Sequence, residues 1–171
     1  FTLSLFGGND VLGYATGGAD QTTDQITDLA TFEAVLDIAL TALTANGADG
    51  VVSGTPYVTD LPYFNAVPFN VVPLDDTTAT AVNGGYAAYN GGIQTALAAL
   101  TGTGLFTAEE AEQRTITFAA GQNAVVIVDE DLTDLGAINP AFAALPKYRQ
   151  ATAADLLVLT SASFIGTLAD P

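Results

Sequence analysis

Leu5 to Gly18 reads LFGGNDVLGYATGG, and its first two residues close the apolar start FTLSLF. A short apolar run closed by Gly7-Gly8 is the pattern of a buried strand that ends in a sharp turn. Two readings of the turn compete. In one, Asn9 and Asp10 close an ordinary Asx-type turn. In the other, the glycines let the backbone approach a ligand, and Asn9 presents a neutral amide donor to a reacting atom. A donor aimed at a developing oxyanion in a dry site contributes several kcal/mol to acyl transfer.

The residues after the turn bear on the fold. The stretch from the glycines through Asp28 is polar and glycine-rich and reads as loop. From Thr31, the residues Phe32, Val35, Leu36, Ala39, Leu40 and Leu43 form one apolar stripe of a helix, with Thr31 as its N-cap and Asn46-Gly47 as its stop. Gly50-Val51-Val52-Ser53-Gly54 is then a second strand. Strand, helix, strand in this span predicts a right-handed crossover and a parallel sheet, hence an α/β fold.

The rest of the chain extends this outline. TPYVTDLPYFNAVPFNVVPLDD carries four prolines and reads as an irregular arm. In AVNGGYAAYNGGIQTALAAL, the positions Val82, Tyr86, Tyr89, Ile93, Leu97 and Leu100 recur at helical spacing. Its interior glycines imply close backbone packing or a break. Thr107-Ala108-Glu109-Glu110 has capping-box form and predicts a short helix to about Gln113. RTITF and AVVIV flank AAGQN and predict a β-hairpin with one solvated face. A weak helix or loop is expected around Asn139 to Leu145, and Ala154 to Thr160 is the last strand candidate.

Composition narrows the chemistry. The 171 residues suit one ordinary domain, and 49% hydrophobic with 13% charged residues is the profile of a chain that folds. Three cations against nineteen carboxylates give a net charge of -16, which repels nucleic acid and anionic membrane surfaces. No run of about twenty apolar residues suggests a membrane span. The sequence has no Cys, so it has neither a thiolate nucleophile nor a zinc knuckle, and no cofactor or metal is implied. It has no His either. That removes every Ser-His-Asp or Cys-His relay within these residues and leaves carboxylates, Lys147, tyrosines and termini for acid-base work. Phe1 opens inside a β-type run, and IGTLADP breaks off in turn chemistry, so the chain reads as an internal piece.

Taken in order, these features resemble the SGNH or GDSL family of ester hydrolases. That family carries its oxyanion-hole Asn in a G-x-N-D block at the end of a core strand, and Gly7-Gly8-Asn9-Asp10 matches the block position for position. GGNDVLGYATGG, ANGADGVVSGTPYVTDLPYF, RTITFAAGQNAVVIVDEDL and ATAADLLVLTSASFIGT together resemble a branch of the family from Bacteroidetes-type bacteria. The resemblance implies a three-layer, flavodoxin-like parallel sheet with flanking helices and an inserted β-hairpin, over a single incomplete domain from 1 to 171. It further implies serine acyl transfer on a lipid, short-chain or carbohydrate ester, in a secreted or cell-envelope bacterial protein.

The departures are specific. The family's nucleophile lies in a G-D-S block and its base in a D-x-x-H block, and neither block is present. Ser4, Ser53, Ser161 and Ser163 stand in other settings. Asn9 carries over, with Gly7 as its turn residue, and the segment alone is expected to be inactive. The alternative is a noncatalytic binding or structural domain of a secreted or surface protein.

Three further features bear on chemistry. Tyr57, Tyr63 and Phe64 of the arm, with Phe69, either line an acyl or sugar pocket or pin the arm to the core. Asp129, Glu130 and Asp131 suggest a carboxylate pair or oxygen ligands for Ca²⁺. Neighbouring residues on an extended chain point apart, however, and the stretch lacks EF-hand spacing, so a solvated hairpin end is favoured. Arg149 is placed to pair with carboxylates.

Overall fold

A computed structural model describes residues 1–20, 22 and 24–165. It is a mixed α/β structure that divides into two compact units, Phe1–Ala66 and Val67–Pro171, where the sequence predicts one domain over 1–171. The terminal stretch from Gly166 onward, part of IGTLADP, lies outside the described residues.

In the first unit, β1 (Thr2–Leu3) pairs in parallel with β2 (Val51–Val52), Thr2 opposite Val51 and Leu3 opposite Val52. The expected parallel pair is therefore present, with shorter strands than predicted. Between them run α1 (Gly8–Thr16) and α2 (Leu29–Thr44). Helix α1 corrects the loop expected after Gly8. Gly7 caps it in the left-handed region at φ 80°, a conformation glycine adopts without steric cost, and Val11, Leu12, Tyr14 and Ala15 then continue a helical turn. Helix α2 also begins earlier than predicted. Its N-cap is Asp28 and not Thr31, because the Asp28 carboxylate accepts from both the Thr31 N–H (3.0 Å) and the Thr31 hydroxyl (2.6 Å). Gly47, at φ 73°, comes just after its end, as the Asn46-Gly47 signal implies. The predicted stripe is half-buried at Phe32, Leu36, Ala39 and Leu40, while Val35 and Leu43 are exposed.

The arm is more regular than expected. It holds a 3-10 turn (Val58–Asp60) and α3 (Pro62–Asn65), with Pro62 at the first helical position, where a missing N–H costs nothing. Asn65 donates to the Thr59 carbonyl (2.6 Å) and the Leu61 carbonyl (3.0 Å), tying the two turns together.

In the second unit, β3 (Val72–Leu74) leads into α4 (Asp76–Leu100), then α5 (Ala108–Arg114), β4 (Gly121–Asn123), β5 (Val126–Val128), α6 (Leu135–Ile138) and β6 (Tyr148–Gln150). The helix read from Val82 to Leu100 is α4, capped by Asp75. Ile93, Ala96 and Leu100 are fully or nearly fully buried with Phe106, Ala111, Leu135 and Phe142. Of its glycines, Gly92 makes the close approach: a Cβ there would lie 2.5 Å from Leu145 Cδ2. Gly84, Gly85 and Gly91 face open space. Helix α5 starts at the predicted Thr107, whose hydroxyl accepts from Glu110 N–H at 3.2 Å.

The predicted hairpin is not formed. β4 pairs antiparallel with β3, and β5 pairs antiparallel with β6. Ile116 and Phe118 do alternate inward, at 1% and 8% exposure, but helix side chains satisfy their backbone in place of a facing strand. Asn90 accepts from Ile116 N–H (3.0 Å) and donates to its carbonyl (2.8 Å), and Asn83 does the same for Phe118 (2.8 and 2.9 Å). Those four groups leave nothing for a ladder. The last predicted strand reduces to one bridge, Leu157 opposite Val67, before a 3-10 turn at Leu159–Ser163.

Two arginines organise this unit. Arg114, fully buried, donates to Glu110 (3.1 Å) and to the carbonyls of Thr133 (2.9 Å) and Pro146 (3.0 Å), beneath the Phe106 ring. Arg149 pairs with Asp129 and makes a two-pronged contact with Asp155, 2.7 Å on each nitrogen.

Candidate functional site

The site begins at the parallel pair. Val51 N–H donates to the Phe1 carbonyl and Ser53 N–H to the Leu3 carbonyl, each at 2.9 Å, so the segments leaving the two strands start side by side. The Thr55 hydroxyl then reaches the Phe6 carbonyl at 3.2 Å and joins them again beyond the sheet. At this end lies a cavity of about 210 Å³, with Phe6, Gly7, Asp10, Leu29, Phe32 and Thr55 in its wall. The position agrees with the rule that open parallel sheets bind ligands at the carboxyl ends of their strands.

The glycine of the turn has a definite task here. A Cβ on Gly7 would lie 2.5 Å from Phe32 Cε2, so the left-handed turn and the ring share a space only glycine leaves free. The Phe32 ring in turn meets Phe6, with centroids 5.5 Å apart and planes at 52°. Asp10 supplies the charged group of the wall. Its Oδ2 accepts from Thr27 N–H at 2.9 Å, which draws the loop before α2 back onto the first turn of α1.

Asn9 stands in the first turn of α1, exposed, and among the described residues its amide has no hydrogen-bond partner. It is not turned inward on its own loop, and it is not one of the cavity's lining residues, although Gly7 and Asp10 on either side of it are. The aromatic candidates also lie outside the lining. Tyr57 is 81% exposed, Tyr63 is half-buried, and Phe64 is buried with its ring edge-on to Tyr63 at 5.2 Å.

No protein-family model, curated protein or solved structure matches this chain.

The acid-base inventory is largely committed elsewhere. Lys147 donates to the Glu130 carbonyl at 2.8 Å. Burial pushes the phenols of Tyr86 and Tyr89 up, and the Tyr89 hydroxyl donates to the Tyr148 carbonyl at 2.7 Å. The Asp129 to Asp131 cluster is a turn: Asp129 holds Arg149 and accepts from Asp131 N–H at 3.0 Å. Among the described residues, no three carboxylates converge as metal ligands, and no helix is long and apolar enough to cross a membrane. Sequence reasoning misses Asp10 as a wall residue and Thr55 as a tie. The signal that could find them is Gly54, which breaks the second strand just before Thr55 as Gly7-Gly8 break the first before Asp10.

Proposed function

We propose that this chain is part of an ester hydrolase of SGNH type, with a three-layer parallel sheet in the complete enzyme and Asn9 as an oxyanion donor. One observation supports the reading: the parallel strands bring the Gly7-Gly8-Asn9-Asp10 stretch and Thr55 to their common carboxyl end, where Gly7, Asp10 and Thr55 line a largely apolar cavity and Asn9 stands exposed between Gly7 and Asp10. In this reading a serine and a histidine from outside these residues perform the attack and the proton transfer, and Asn9 bonds the negative oxygen of the tetrahedral intermediate. The cavity takes an apolar part of the ester, and Tyr57 of the arm offers an exposed aromatic surface.

The test compares hydrolysis of p-nitrophenyl esters by the 171-residue chain and by the chain extended into its flanking coding sequence. The short chain is expected to show no turnover above buffer and the extended one to be active. There, Asn9→Ala is expected to lower kcat by about 10²- to 10³-fold. An unchanged kcat in that variant overturns the role of Asn9. An inactive extended chain favours the second reading, a noncatalytic binding or structural domain.

A further inference from the structure

The wall of the cavity in the first unit combines two features that recognise one ligand chemistry. Phe6 and Phe32 line it with their rings 5.5 Å apart, and Asp10 adds a carboxylate with one oxygen bonded to Thr27 N–H. Aromatic faces carry partial negative charge and attract cations, most strongly where water is excluded, and a carboxylate beside them adds a full charge. We propose that this cavity binds a small quaternary or alkylated ammonium group, with Phe6 and Phe32 receiving its methyl groups and Asp10 as counter-ion.

The charge distribution points the same way. Residues 1 to 66 contain eight carboxylates and no Lys, Arg or His. The N-terminus of α1 is equivalent to roughly half a positive charge, and Asp10 in its first turn outweighs it with a full negative one. A carboxylate or phosphate is therefore repelled from this cavity. An uncharged apolar group is accepted for its area alone, and an ammonium ion gains from the rings, Asp10 and the surrounding field together. The inference goes beyond the hydrolase reading and stands without it, because it concerns binding to residues the chain already contains.

The experiment measures binding to the 171-residue protein by NMR titration at constant low ionic strength, with three probes. Choline carries the cation, 3,3-dimethylbutanol is its neutral isostere, and hexanoate is an apolar anion. Choline is expected to bind about tenfold more tightly than the isostere, to move the ring resonances of Phe6 and Phe32, and to weaken as salt is added. Hexanoate is expected not to bind. Asp10→Asn keeps an oxygen acceptor for Thr27 N–H while removing the charge, and Phe32→Leu keeps the wall apolar while removing the ring. Each should abolish the preference for choline. Asp37→Asn, on the exposed side of α2, should leave it unchanged. Equal binding of choline and its isostere, no binding of choline at millimolar concentration, or an equal loss in Asp37→Asn would each overturn the proposal. Because no ester is cleaved, failure here leaves the hydrolase reading intact, and failure of that reading leaves this one.

Discussion

The two units reach order by different means. Among the described residues, the first buries a single apolar side chain, Phe64, whereas the second buries thirteen, from Val67 to Ala151. All three cations lie in the second unit as well, each engaged with a carboxylate or a carbonyl. The first has none, and it leaves Leu29, Val35, Ile38, Val51 and Val52 exposed. Cooperative stability rises with buried area and satisfied polar groups, so the second unit is expected to hold its structure to higher denaturant than the first. Local openness in turn suits a region that carries a cavity and the turn proposed to act beside it.

The strongest test of this contrast is a matched pair of truncations. Ile93 in α4 is fully buried and Ile38 in α2 is 69% exposed. Ile93→Ala is expected to cost about 2 to 5 kcal/mol, and Ile38→Ala within about 0.5 kcal/mol, as read from urea unfolding. A comparable loss at Ile38 would mean that the exposed flank of α2 is covered in solution, and the contrast would fail.

This difference also explains how far the sequence is legible. Helix α4 can be read because its apolar residues repeat with a period only a helix satisfies, and because burial reinforces every repeat. The cap of α2 reads three residues late, since Asp28 and Thr31 are both good cap formers and only the carboxylate's double contact decides between them. The alternation at Ile116 and Phe118 is legible too, but its partner is not. Asn83 and Asn90 lie 35 and 26 residues away, and nothing local signals that a helix will serve as the second strand. Arg114 gives no warning at all, because a charge shows no sign of burial until its acceptors are assembled around it. At the candidate site, Gly7 is readable as a turn residue. Whether Asn9 or Asp10 faces the cavity is not, since adjacent residues on a helix point about 100° apart and the stretch reads as loop.

A second test uses acid. In the second unit, the hydrogen bond from Arg149 holds the Asp155 carboxyl down at about 2, against an ordinary value of 3.8, with the Thr152 backbone N–H assisting. The stabilisation from this pair is therefore fully present above about pH 4 and is lost as pH falls towards 2. In the first unit, the Thr31 hydroxyl and N–H lower the Asp28 carboxyl as well, but that cap is exposed on the surface. Hydrogen exchange measured from pH 5 to pH 2 is expected to show the β5–β6 region loosening in this window. Asp155→Asn should remove the pH dependence there and leave α2 unaffected. A pH profile unchanged in that variant would assign the acid sensitivity to other carboxylates.

The smallest expected effect separates two glycines that look alike in sequence, each the first of a Gly-Gly pair. Gly7 has φ 80° and no room for a Cβ beside Phe32, whereas Gly84 lies within α4 and faces open space. An alanine at 7 enters the left-handed region at a cost of about 1 to 2 kcal/mol and must also displace the Phe32 ring. An alanine at 84 relieves the entropy cost of a helical glycine and gains about 1 kcal/mol. The substitutions should therefore move the unfolding of their own units in opposite directions, Gly7→Ala downward and Gly84→Ala upward. Since Phe32 lines the cavity, Gly7→Ala should also weaken binding there, while Gly84→Ala should not. If both glycines tolerate alanine equally, the left-handed turn that starts α1 is not fixed in solution, and the geometry placing Asn9 and Asp10 loses its support.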